Sequence, residues 1–289
     1  MTAAETLSAR EIDAAREHAH EVAARSGSSF LWGIRILPRP RREAMYAIYA
    51  FCREVDDIAD EAGSAEEKLA ALDLWRDEVA RLYAGRPRHP TALALLPAVE
   101  AYGLPREEFL AVIDGMAMDA REAMIAPSLA DFTLYCRRVA GAVGRLSIQT
   151  FGAREPEAAD LALVLGEALQ ITNVLRDLDE DAAQGRLYLP AELLDEAGIA
   201  ARLPTAVLAD PALPRVCEAL VARARERFAR SGELLGACER RSVKPAVLMM
   251  EIYRRILDRL EARGWAPPRR RVRVSRPEKA WVALRYGLF

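Results

Sequence analysis

Long segments with a helical spacing of apolar residues constrain the fold of this chain more than any other feature of its sequence. Glycine and proline occur mostly in short clusters, and between these clusters apolar side chains recur every three or four positions over roughly 15 to 25 residues. Alanine and leucine dominate these segments, and extended runs of β-branched residues are almost absent. The pattern therefore predicts an all-α protein. We expect helices near residues 9–25, 40–61, 65–84, 90–102, 105–122, 129–152, 156–184, 212–240 and 243–264.

The loops between the predicted helices are short, and apolar periodicity resumes after each of them. No segment therefore has the composition of a linker between domains. A chain of 289 residues can form one large domain or two of ordinary size. We predict a single helical domain over residues 1–289, in which the chain from about residue 266 forms a basic C-terminal tail.

The C-terminal tail combines a rigid pair of prolines with four arginines between residues 267 and 273. Apolar and aromatic residues follow, among them Trp281, Leu284 and Leu288. Two interpretations are open: the tail packs on its own domain with solvated arginines, or it attaches the protein to an anionic membrane surface. The sequence slightly favours packing on the domain.

The overall charge and the N-terminal sequence exclude several classes of protein. The formal net charge is −2, so no general positive field attracts nucleic acid, and we expect no nucleic-acid partner. The four cysteines form no Cys-x-x-Cys pair and have no metal-ligand spacing to the three histidines, which favours a reducing compartment without disulfides. The first 25 residues lack the apolar core of a signal peptide, and no stretch reaches the roughly 18 apolar residues that span a membrane. We predict a soluble cytoplasmic protein, which lies at the inner face of the membrane if the tail binds lipid.

Two clusters of acidic residues, at positions 56–60 and 177–181, each follow a helical run that contains neither glycine nor proline. In each cluster two aspartates are four positions apart, so a helix projects them from one face, where they repel by roughly 0.2 to 0.5 kcal/mol. A bound cation removes that repulsion. A single acidic helix face is usually just solvated, but two clusters after apolar helices indicate a site for Mg²⁺, which proteins bind with one or two carboxylates and substrate phosphates. The two pairs are Asp56 with Asp60 and Asp177 with Asp181.

Polar side chains continue the same helix faces for one and two turns before each acidic cluster. On the first face these are Tyr49 and Arg53, and on the second they are Gln170 and Asn173. The two amides lie inside an apolar helix, so a ligand, a metal-bound water or a neighbouring helix must satisfy them. Arg53 and the two arginines around the second cluster can each donate paired hydrogen bonds to phosphate oxygens, or form ordinary ion pairs. The arginines around the second cluster are Arg176 and Arg186.

Residues 135–144 place Gly141 and Gly144 in an otherwise helical run. Glycine costs about 1 kcal/mol there relative to alanine, so the run must either break or pack closely against another helix. A break opens space for a long apolar substrate, whereas close packing needs no ligand. Tyr135 is then a phenol of the core, unless it points into the same cavity.

Motifs of several other chemistries are absent from the sequence. It contains no GxxxxGK[ST], GxGxxG, HExxH or GxSxG motif. The histidines His18, His20 and His89 do not pair with glutamate at di-iron spacing. We expect them to be ordinary surface or core residues. A phosphohydrolase is therefore disfavoured, because all-α sites of that kind generally need histidine ligands.

Three long motifs, in order along the chain, resemble those of the squalene/phytoene synthase family of head-to-head prenyl diphosphate synthases. Residues 49–60, preceded by Ser28-Ser29-Phe30, resemble the first aspartate-rich motif of the family. Residues 135–144 resemble its Tyr-Cys-x-x-Val-Ala-Gly-x-Val-Gly segment, and residues 165–190 its second aspartate-rich motif. The match covers nearly the whole chain. The resemblance implies an isoprenoid synthase fold, a single helical bundle around a central cavity with the two aspartate motifs facing each other at its mouth.

The resemblance also implies a mechanism and a role for each candidate residue. Mg²⁺ binds the donor diphosphate and neutralises its charge as it leaves, the allylic cation alkylates the double bond of a second molecule, and loss of a proton closes a cyclopropane. The implied metal ligands are Asp56, Asp60, Asn173, Asp177 and Asp181. The implied substrate-binding residues are Phe30, Tyr49, Arg53, Gln170, Asn173, Arg176, Arg186 and Tyr188. The implied catalytic residues are the aspartates Asp56, Asp60, Asp177 and Asp181, and Tyr135, which accepts the proton together with a phosphate oxygen or Gln170.

Within the family, residues 53–61 and 176–190 look most like those of the bacterial presqualene diphosphate synthases of squalene and hopanoid biosynthesis. The implied activity is the Mg²⁺-dependent condensation of two farnesyl diphosphates to presqualene diphosphate, with release of diphosphate and without NADPH. Phytoene synthases usually carry Asp-Val-Gly-Glu-Asp in the second motif, from which Leu178-Asp179 departs. The alternatives are a phytoene, squalene or dehydrosqualene synthase of the same family, and a catalytically inactive helical assembly partner. Besides farnesyl diphosphate, enzymes that act later in the pathway are candidate partners.

Overall fold

The computed structural model describes residues 9–25, 30–121 and 124–287 of the chain. Within these ranges the chain forms helices and loops, and one isolated β-bridge joins Ile125 to Leu187. The prediction of an all-α protein is confirmed. The helices are α1 (Ala9–Arg25), α2 (Phe30–Arg35), α3 (Arg39–Asp60), α4 (Ala65–Tyr83), α5 (Pro90–Tyr102), α6 (Arg106–Arg121), α7 (Leu129–Cys136), α8 (Ala142–Phe151), α9 (Pro156–Arg176), α10 (Leu178–Ala183), α11 (Ala191–Glu196), α12 (Pro204–Ala209), α13 (Leu213–Gly236), α14 (Arg240–Arg263) and α15 (Arg276–Gly287). A π-helical turn, Arg137–Gly141, joins α7 to α8.

Local sequence signals set the ends of several helices. Helix α4 begins with a capping box, in which the Ser64 hydroxyl accepts from the Glu67 N–H (3.2 Å) and the Glu67 carboxylate accepts from the Ser64 N–H (2.8 Å). Helix α5 has Pro90 in its first turn and is capped after Tyr102 by Gly103, whose φ of 61° lies in the left-handed region that glycine adopts without strain. These residues explain why the helix ends predicted from the sequence lie close to the observed ones.

The predicted helix over residues 156–184 is wrong in one respect, because it divides into α9 and α10 at Asp177 (φ −104°, ψ 14°). The reason is electrostatic. A run of carboxylates at the C-terminal end of α9 would oppose the helix dipole, whereas the break places three acidic residues in the first turn of α10, where negative charge is favourable. The N–H of Asp181 still donates to the carbonyl oxygen of Asp177 (2.8 Å), so the second acidic pair spans one helical turn.

The remaining differences concern short elements. The predicted helix over residues 129–152 is interrupted by the π-helical turn, and α2, α11, α12 and α15 were not predicted. Three of these four helices have only six residues, too few for apolar periodicity to identify them. The predicted helix over residues 105–122 ends at Arg121, and residue 122 lies outside the described residues.

Helices α9 and α3 organise the packing of the others. Helix α9 packs against α13, α8, α14 and the π-helical turn, while α3 packs against α1, α5, α6 and α8. The buried side chains form one connected apolar cluster, in which the ring of Phe51 contacts Trp75 and Phe109 edge to face, at centroid distances of 5.3 and 5.1 Å. This continuity supports a single domain, which stays a prediction.

The segment of residues 135–144 shows both features that its glycines left open, a break in the helix and close packing against another helix. The π-helical turn interrupts the helix, and the same segment touches α9 backbone to backbone. A Cβ atom on Gly166 of α9 would lie 2.8 Å from the backbone nitrogen of Gly141, and one on Gly144 would lie 2.6 Å from the carbonyl oxygen of Ala162. Only residues without a Cβ atom allow the two helices to approach this closely.

Helix α9 also corrects an expectation about membrane spans. Among the described helices, Pro156–Arg176 is long and apolar enough to cross a membrane, although no such stretch was expected from the sequence. A share of 56% of its apolar window is buried inside the protein. Its position between α8, α13 and α14 accounts for this composition, because a helix with neighbours on several sides needs apolar residues around most of its circumference.

The C-terminal tail packs on the rest of the protein. Trp265, Val274 and Val282 are buried, and α15 lies against α14 and α2. The tail therefore packs on its own domain, which was the interpretation that the sequence favoured. Two of its arginines, Arg269 and Arg271, form ion pairs and are not simply solvated. Trp281 and Leu284 stay exposed, and residue 288 lies outside the described residues.

We expect Gly166→Ala to lower the free energy of unfolding by about 1 to 3 kcal/mol, because the added methyl group overlaps the backbone of the π-helical turn. The matched control is Gly232→Ala in α13, where nothing lies within 4 Å of the new Cβ atom. Alanine should raise the free energy of unfolding there by up to about 1 kcal/mol. Urea unfolding followed by circular dichroism measures both changes. A Gly166→Ala protein as stable as the parent would contradict the close contact.

Candidate active site

Two adjoining cavities open between α3, α9 and their neighbours. The larger, of about 350 Å³, has a mostly apolar lining from α2, α3, α6, α8, α9 and α14, while the smaller, of about 190 Å³, has an almost entirely polar lining. The larger volume lies within the range of ligand sites in proteins. Four side chains line both spaces: Asp56, Tyr135, Gln170 and Asn173. The two spaces are therefore one site, with an apolar compartment and an acidic compartment.

The acidic compartment brings the two acidic clusters together. Its walls come from the ends of α3, α6 and α9, from α10 and from the loop that follows α10. Arg186 connects the clusters, because its guanidinium donates to the Asp60 carboxylate (2.7 Å) and to the carbonyl oxygen of Ala59 (2.9 Å). Six carboxylates line the compartment: Asp56, Asp60, Asp119, Asp177, Glu180 and Asp181.

Main-chain hydrogen bonds hold the segment after α10 in place. The N–H of Leu187 donates to the carbonyl oxygen of Met124 (2.6 Å), and its carbonyl oxygen accepts from the N–H of Ala126 (2.8 Å). This bridge fixes the residues on either side, so that Arg186 reaches the first acidic cluster and Tyr188 reaches α6. Neither residue belongs to a helix, which is why helical periodicity could not assign them to a face.

A buried carboxylate that was not predicted from the sequence forms part of the wall of the acidic compartment. Asp119 of α6 is 8% exposed and accepts hydrogen bonds from the hydroxyls of Tyr135 (2.8 Å) and Tyr188 (2.7 Å), whose rings stack at 5.1 Å. Burial raises the pKa of Asp119, and burial beside this carboxylate raises the pKa values of both tyrosines. One feature of the sequence could have indicated this role: Asp119 is an isolated aspartate within an apolar run of α6. A charged side chain in such a run is buried, and a buried charge needs hydrogen-bond partners.

Two of the arginines predicted to hold phosphate line the site. Arg53 lines the apolar compartment and Arg186 the acidic one. Arg53 pairs with Asp56 (3.2 Å) and with Asp57, on the next turn of the same helix. The ion pairs that the sequence left as an alternative are therefore present, and both guanidiniums lie beside the acidic compartment, where phosphate oxygens would meet them.

Arg176 is placed differently from the other two arginines. Its side chain is 18% exposed and lines neither compartment. Its Nε donates to the Asp177 carboxylate (2.9 Å), and its guanidinium also interacts with Tyr253. Direct contact between Arg176 and a phosphate therefore stays a prediction, and the observed role of this residue is to provide positive charge behind Asp177.

Two arginines of the C-terminal tail reach the second acidic cluster. Arg271 pairs with Asp177 (3.1 Å) and Glu180 (2.6 Å), and Arg269 pairs with Asp179 (2.7 Å). The side chain of Arg269 is only 5% exposed. From the sequence, these arginines were expected to be solvated on a packed tail or to bind a membrane surface. Its contact with the acidic cluster was missed because nothing in the local pattern indicates which surface a tail covers.

Crowding changes the titration of the carboxylates in the acidic compartment. Burial, and then the neighbouring Asp60 carboxylate, raises the pKa of Asp56 to about 7. Burial, and then the Asp177 carboxylate, raises the pKa of Asp181 to about 7. Each group is therefore a mixture of protonated and ionised forms near neutral pH, and positive charge in the compartment would favour the ionised form.

The acidic compartment presents oxygen atoms of the kind that Mg²⁺ binds. Oδ1 of Asn173 is buried without a hydrogen-bond partner, while its Nδ2 donates to Oε1 of Gln170 (3.2 Å). Such an unpaired acceptor suits a cation or a water molecule bound to one. Over the described parts of the chain, no three side chains of His, Cys, Asp or Glu are arranged to hold a metal ion by themselves. The residues thus fit a divalent cation that the protein shares with a phosphate ligand.

Aromatic and aliphatic side chains bound the apolar compartment. The rings of Phe30 and Tyr49 stack at a centroid distance of 6.0 Å, and Met249 and Tyr253 of α14 contribute further apolar surface. The close contact of α8 with α9 forms part of the lining through their glycines, so the distance between these helices sets the width of the space. Ser28 and Ser29, which precede Phe30 in the first motif, lie outside the described residues.

The three histidines lie away from both compartments. His18 pairs with Glu54 (2.7 Å), His20 pairs with Glu43 (2.5 Å), and the His89 side chain accepts from an N–H in the first turn of α5. These contacts join α1 to α3 and cap α5. The histidines are thus ordinary structural residues, as the sequence predicted.

Comparison with known proteins gives matches along nearly the whole chain. The sequence profile of the squalene/phytoene synthase family matches residues 23–278. A presqualene diphosphate synthase of Sinorhizobium fredii is 48% identical over 95% of this chain and 98% of its own, and one of Rhodopseudomonas palustris is 49% identical over 91% and 94%. A phytoene synthase of Mycobacterium tuberculosis is 34% identical over 94% of this chain and 90% of its own. The identity is thus higher to these presqualene diphosphate synthases than to this phytoene synthase.

Solved structures of similar proteins share the arrangement of helices. A squalene synthase of Alicyclobacillus acidocaldarius superposes with a TM-score of 0.80 at 31% identity, over 92% of this chain and all of its own. A dehydrosqualene synthase in complex with a ligand superposes with a TM-score of 0.83 at 26% identity, over 96% of both chains. The expectation of an isoprenoid synthase fold is confirmed.

In the metal-free protein we expect the free energy of unfolding to fall as the pH rises from about 5 to about 7.5. The pKa values of Asp56 and Asp181 are raised from 3.8 to about 7, so the folded state binds more protons than the unfolded state across this window. Asp56→Asn should therefore flatten the pH dependence and be more stable than the parent at the higher pH. Urea unfolding in EDTA at both pH values measures the free energy of unfolding of the parent and the variant. The matched control is Asp160→Asn, because Asp160 of α9 is exposed. An Asp56→Asn slope equal to that of the parent would contradict the raised pKa.

Proposed function

This chain belongs to the squalene/phytoene synthase family, and we propose that it is the prenyltransferase that joins two farnesyl diphosphates head to head, forming presqualene diphosphate and releasing diphosphate. One observation carries the proposal: acidic clusters from α3 and from the α9–α10 junction line one compartment that continues directly into an apolar compartment. Such a site suits a substrate with a diphosphate at one end and a long hydrocarbon at the other.

The acidic compartment binds the diphosphate of the donor molecule in this proposal. Bound Mg²⁺ would neutralise charge on the phosphate oxygens and so favour departure of the diphosphate. Arg53 and Arg186 line the site and can each donate two hydrogen bonds to phosphate oxygens. The residues that would hold the metal ion are Asp56, Asp60, Asn173, Asp177 and Asp181.

The apolar compartment encloses the prenyl chains and keeps water away from the allylic cation. The stacked rings of Phe30 and Tyr49 present aromatic faces that can stabilise positive charge on carbon. In the reaction, the bond from C1 of the donor to its diphosphate oxygen breaks, and two carbon–carbon bonds to the second molecule form the cyclopropane. One proton leaves, and the diphosphate of the second molecule stays on the product.

Tyr135 accepts that proton in this proposal, and Asp119 makes the transfer feasible. A tyrosine whose pKa is raised by burial is a poor acid, so an ionised phenolate is not available as the base. The hydroxyl of Tyr135 already donates to Asp119, whose own pKa is raised. The phenol oxygen can therefore take a proton from the cation as its own proton passes to Asp119. A phosphate oxygen and Gln170 remain the alternative acceptors.

The proposed condensation also indicates which product forms and where the enzyme acts. The condensation itself transfers no hydride, so we propose that presqualene diphosphate forms without NADPH and passes to later enzymes of squalene and hopanoid biosynthesis. We place the enzyme in the cytoplasm with peripheral contact to the inner face of the membrane, because a product with two long hydrocarbon chains partitions into lipid. A catalytically inactive assembly partner is disfavoured, since both aspartate pairs line the site.

The test of the proposed function is incubation of the purified protein with Mg²⁺ and farnesyl diphosphate, with and without NADPH, followed by mass analysis of the products. We expect a diphosphate-bearing C30 product whether or not NADPH is present. Squalene formed only with NADPH would identify the squalene synthase alternative, and turnover of geranylgeranyl diphosphate alone would identify a phytoene synthase. No turnover of either donor would contradict every catalytic assignment.

The same assay tests the metal ligands with matched aspartate variants. Asp56→Asn and Asp177→Asn should lower kcat by about 10²-fold or more, because each removes a negative charge that would hold the cation, and the cation in turn would bind the leaving diphosphate. Asp160→Asn, an exposed position at the other end of α9, should keep near-normal turnover. Circular dichroism should show the same helicity in all three variants. Near-normal activity of Asp56→Asn or Asp177→Asn would mean that the ligand assignment is wrong.

We also expect Asp119→Asn to lower kcat by about 10²-fold while changing the KM for farnesyl diphosphate little, since the carboxylate acts on the proton and not on the diphosphate. Tyr135→Phe should have a similar effect. If the two residues act as one unit, the double variant should be no slower than the slower single variant. Multiplicative losses in the double variant would show that Asp119 and Tyr135 act independently.

A further inference from the structure

Helix α15 has an exposed apolar stripe in addition to the face that it packs on the protein. Val282 is fully buried, whereas Trp281 is 54% exposed and Leu284 is 55% exposed. Pro277 and Ala280 are also exposed, and the spacing of these positions places them with Trp281 and Leu284 along one side of the helix. We call this row of four residues the α15 stripe. Large apolar side chains in such a row normally contact something other than water.

Positive charge surrounds the α15 stripe. Arg276 and Arg285 are exposed at the two ends of α15, and the guanidinium of Arg255 from α14 lies 5.6 Å from the centroid of the Trp281 ring. The charge of the whole chain is divided in the same way. Residues 240–289 contain 14 lysines and arginines and 4 aspartates and glutamates, whereas residues 1–239 contain 27 and 39. The partner of the α15 stripe should therefore be negatively charged as well as apolar.

The α15 stripe lies on the outer side of a wall of the apolar compartment. Helix α15 packs against α14 and α2, and these two helices supply Phe30, Met249 and Tyr253 to the lining of that compartment. Helix α2 adds a second aromatic and basic pair, because the Arg35 guanidinium lies 5.6 Å from the centroid of the Trp32 ring. Trp32, Arg35 and Arg255 are therefore on helices that also enclose the prenyl site, whereas Trp281 is on α15, which packs on the outside of those helices.

We propose that the α15 stripe and its flanking arginines dock on the surface of a bilayer that contains anionic phospholipids. Tryptophan and leucine insert at the level of the headgroups, where the indole keeps a polar partner, and the arginines bind lipid phosphates. A second copy of the chain fits this face less well, because it would bring two basic surfaces together. The proposal rests on the proposed function only for its purpose, which is to place the prenyl site beside the membrane that receives the product.

Vesicle sedimentation of the full-length protein, without substrate, tests the docking surface. The parent should sediment with vesicles of phosphatidylcholine and phosphatidylglycerol, and about tenfold less with phosphatidylcholine alone or at high salt. Trp281→Gln combined with Leu284→Gln should weaken binding to the anionic vesicles by about tenfold. Arg276→Gln combined with Arg285→Gln should weaken it by about fivefold or more.

The matched control is Leu74→Gln combined with Leu203→Gln. Leu74 on α4 is 66% exposed and Leu203 just before α12 is 67% exposed. This control variant should bind vesicles as the parent does. Equal binding of the Trp281 and Leu284 variant and the parent would overturn the proposal, as would failure of the parent to bind anionic vesicles at low salt. A dimer that the same two substitutions dissociate, without any vesicle binding, would identify a second copy as the occupant and also overturn it.

Catalysis is measured separately, so that failure of the docking surface and failure of the proposed function can be distinguished. With farnesyl diphosphate dispersed in detergent, the Trp281 and Leu284 variant should turn over at the rate of the parent, because neither residue lines the site. Vesicle binding without turnover would leave the docking surface intact and contradict only the activity.

Discussion

The concentration of negative charge in the acidic compartment is the constraint on which the rest of the structure depends. Six carboxylates line a space of about 190 Å³, and their mutual repulsion must be offset before the chain can fold around it. Arginines from several distant parts of the sequence do this. Arg53 lies on the same helix as the first cluster, Arg176 lies behind the second, Arg186 joins the two, and Arg271 comes from the C-terminal tail. The same crowding raises the pKa of Asp56 and of Asp181 to about 7, so protonation of these groups relieves part of the repulsion at a pH below that value.

The apolar compartment depends on a different constraint, the backbone contact between α9 and the segment that contains the π-helical turn. Gly166 and Gly144 permit this contact, and the same helix α9 then carries Gln170 and Asn173 to the boundary between the compartments. One helix thereby links the width of the hydrocarbon site to the position of the polar groups. This linkage explains why polar residues are tolerated in α9: they face the site, while the rest of the helix is surrounded by apolar neighbours.

The differences between prediction and structure have physical causes. The second acidic cluster was placed on one long helix, but the helix dipole favours a break that puts its carboxylates at the start of α10. Asp119 was missed because its partners, Tyr135 and Tyr188, are brought to it only by folding. Packing of the tail on its own domain was favoured by the sequence, but its contact with the second acidic cluster was not predicted. Charge alone attracts arginines to any acidic group within reach, and the acidic cluster that Arg269 and Arg271 bind is about 90 positions away in sequence.

The sequence by itself determined the helical class, most helix ends and the pairing of two acidic clusters with a family of known reactions, because these depend on local spacing and on residues close together in the chain. The tertiary structure alone decided which side chains share a compartment. It placed Arg176 outside the lining, joined Asp119 to the two tyrosines, folded the tail arginines onto the second cluster and left Trp281 and Leu284 exposed. These contacts join residues far apart in sequence, and their energy depends on burial and on distances between charges that no local pattern specifies.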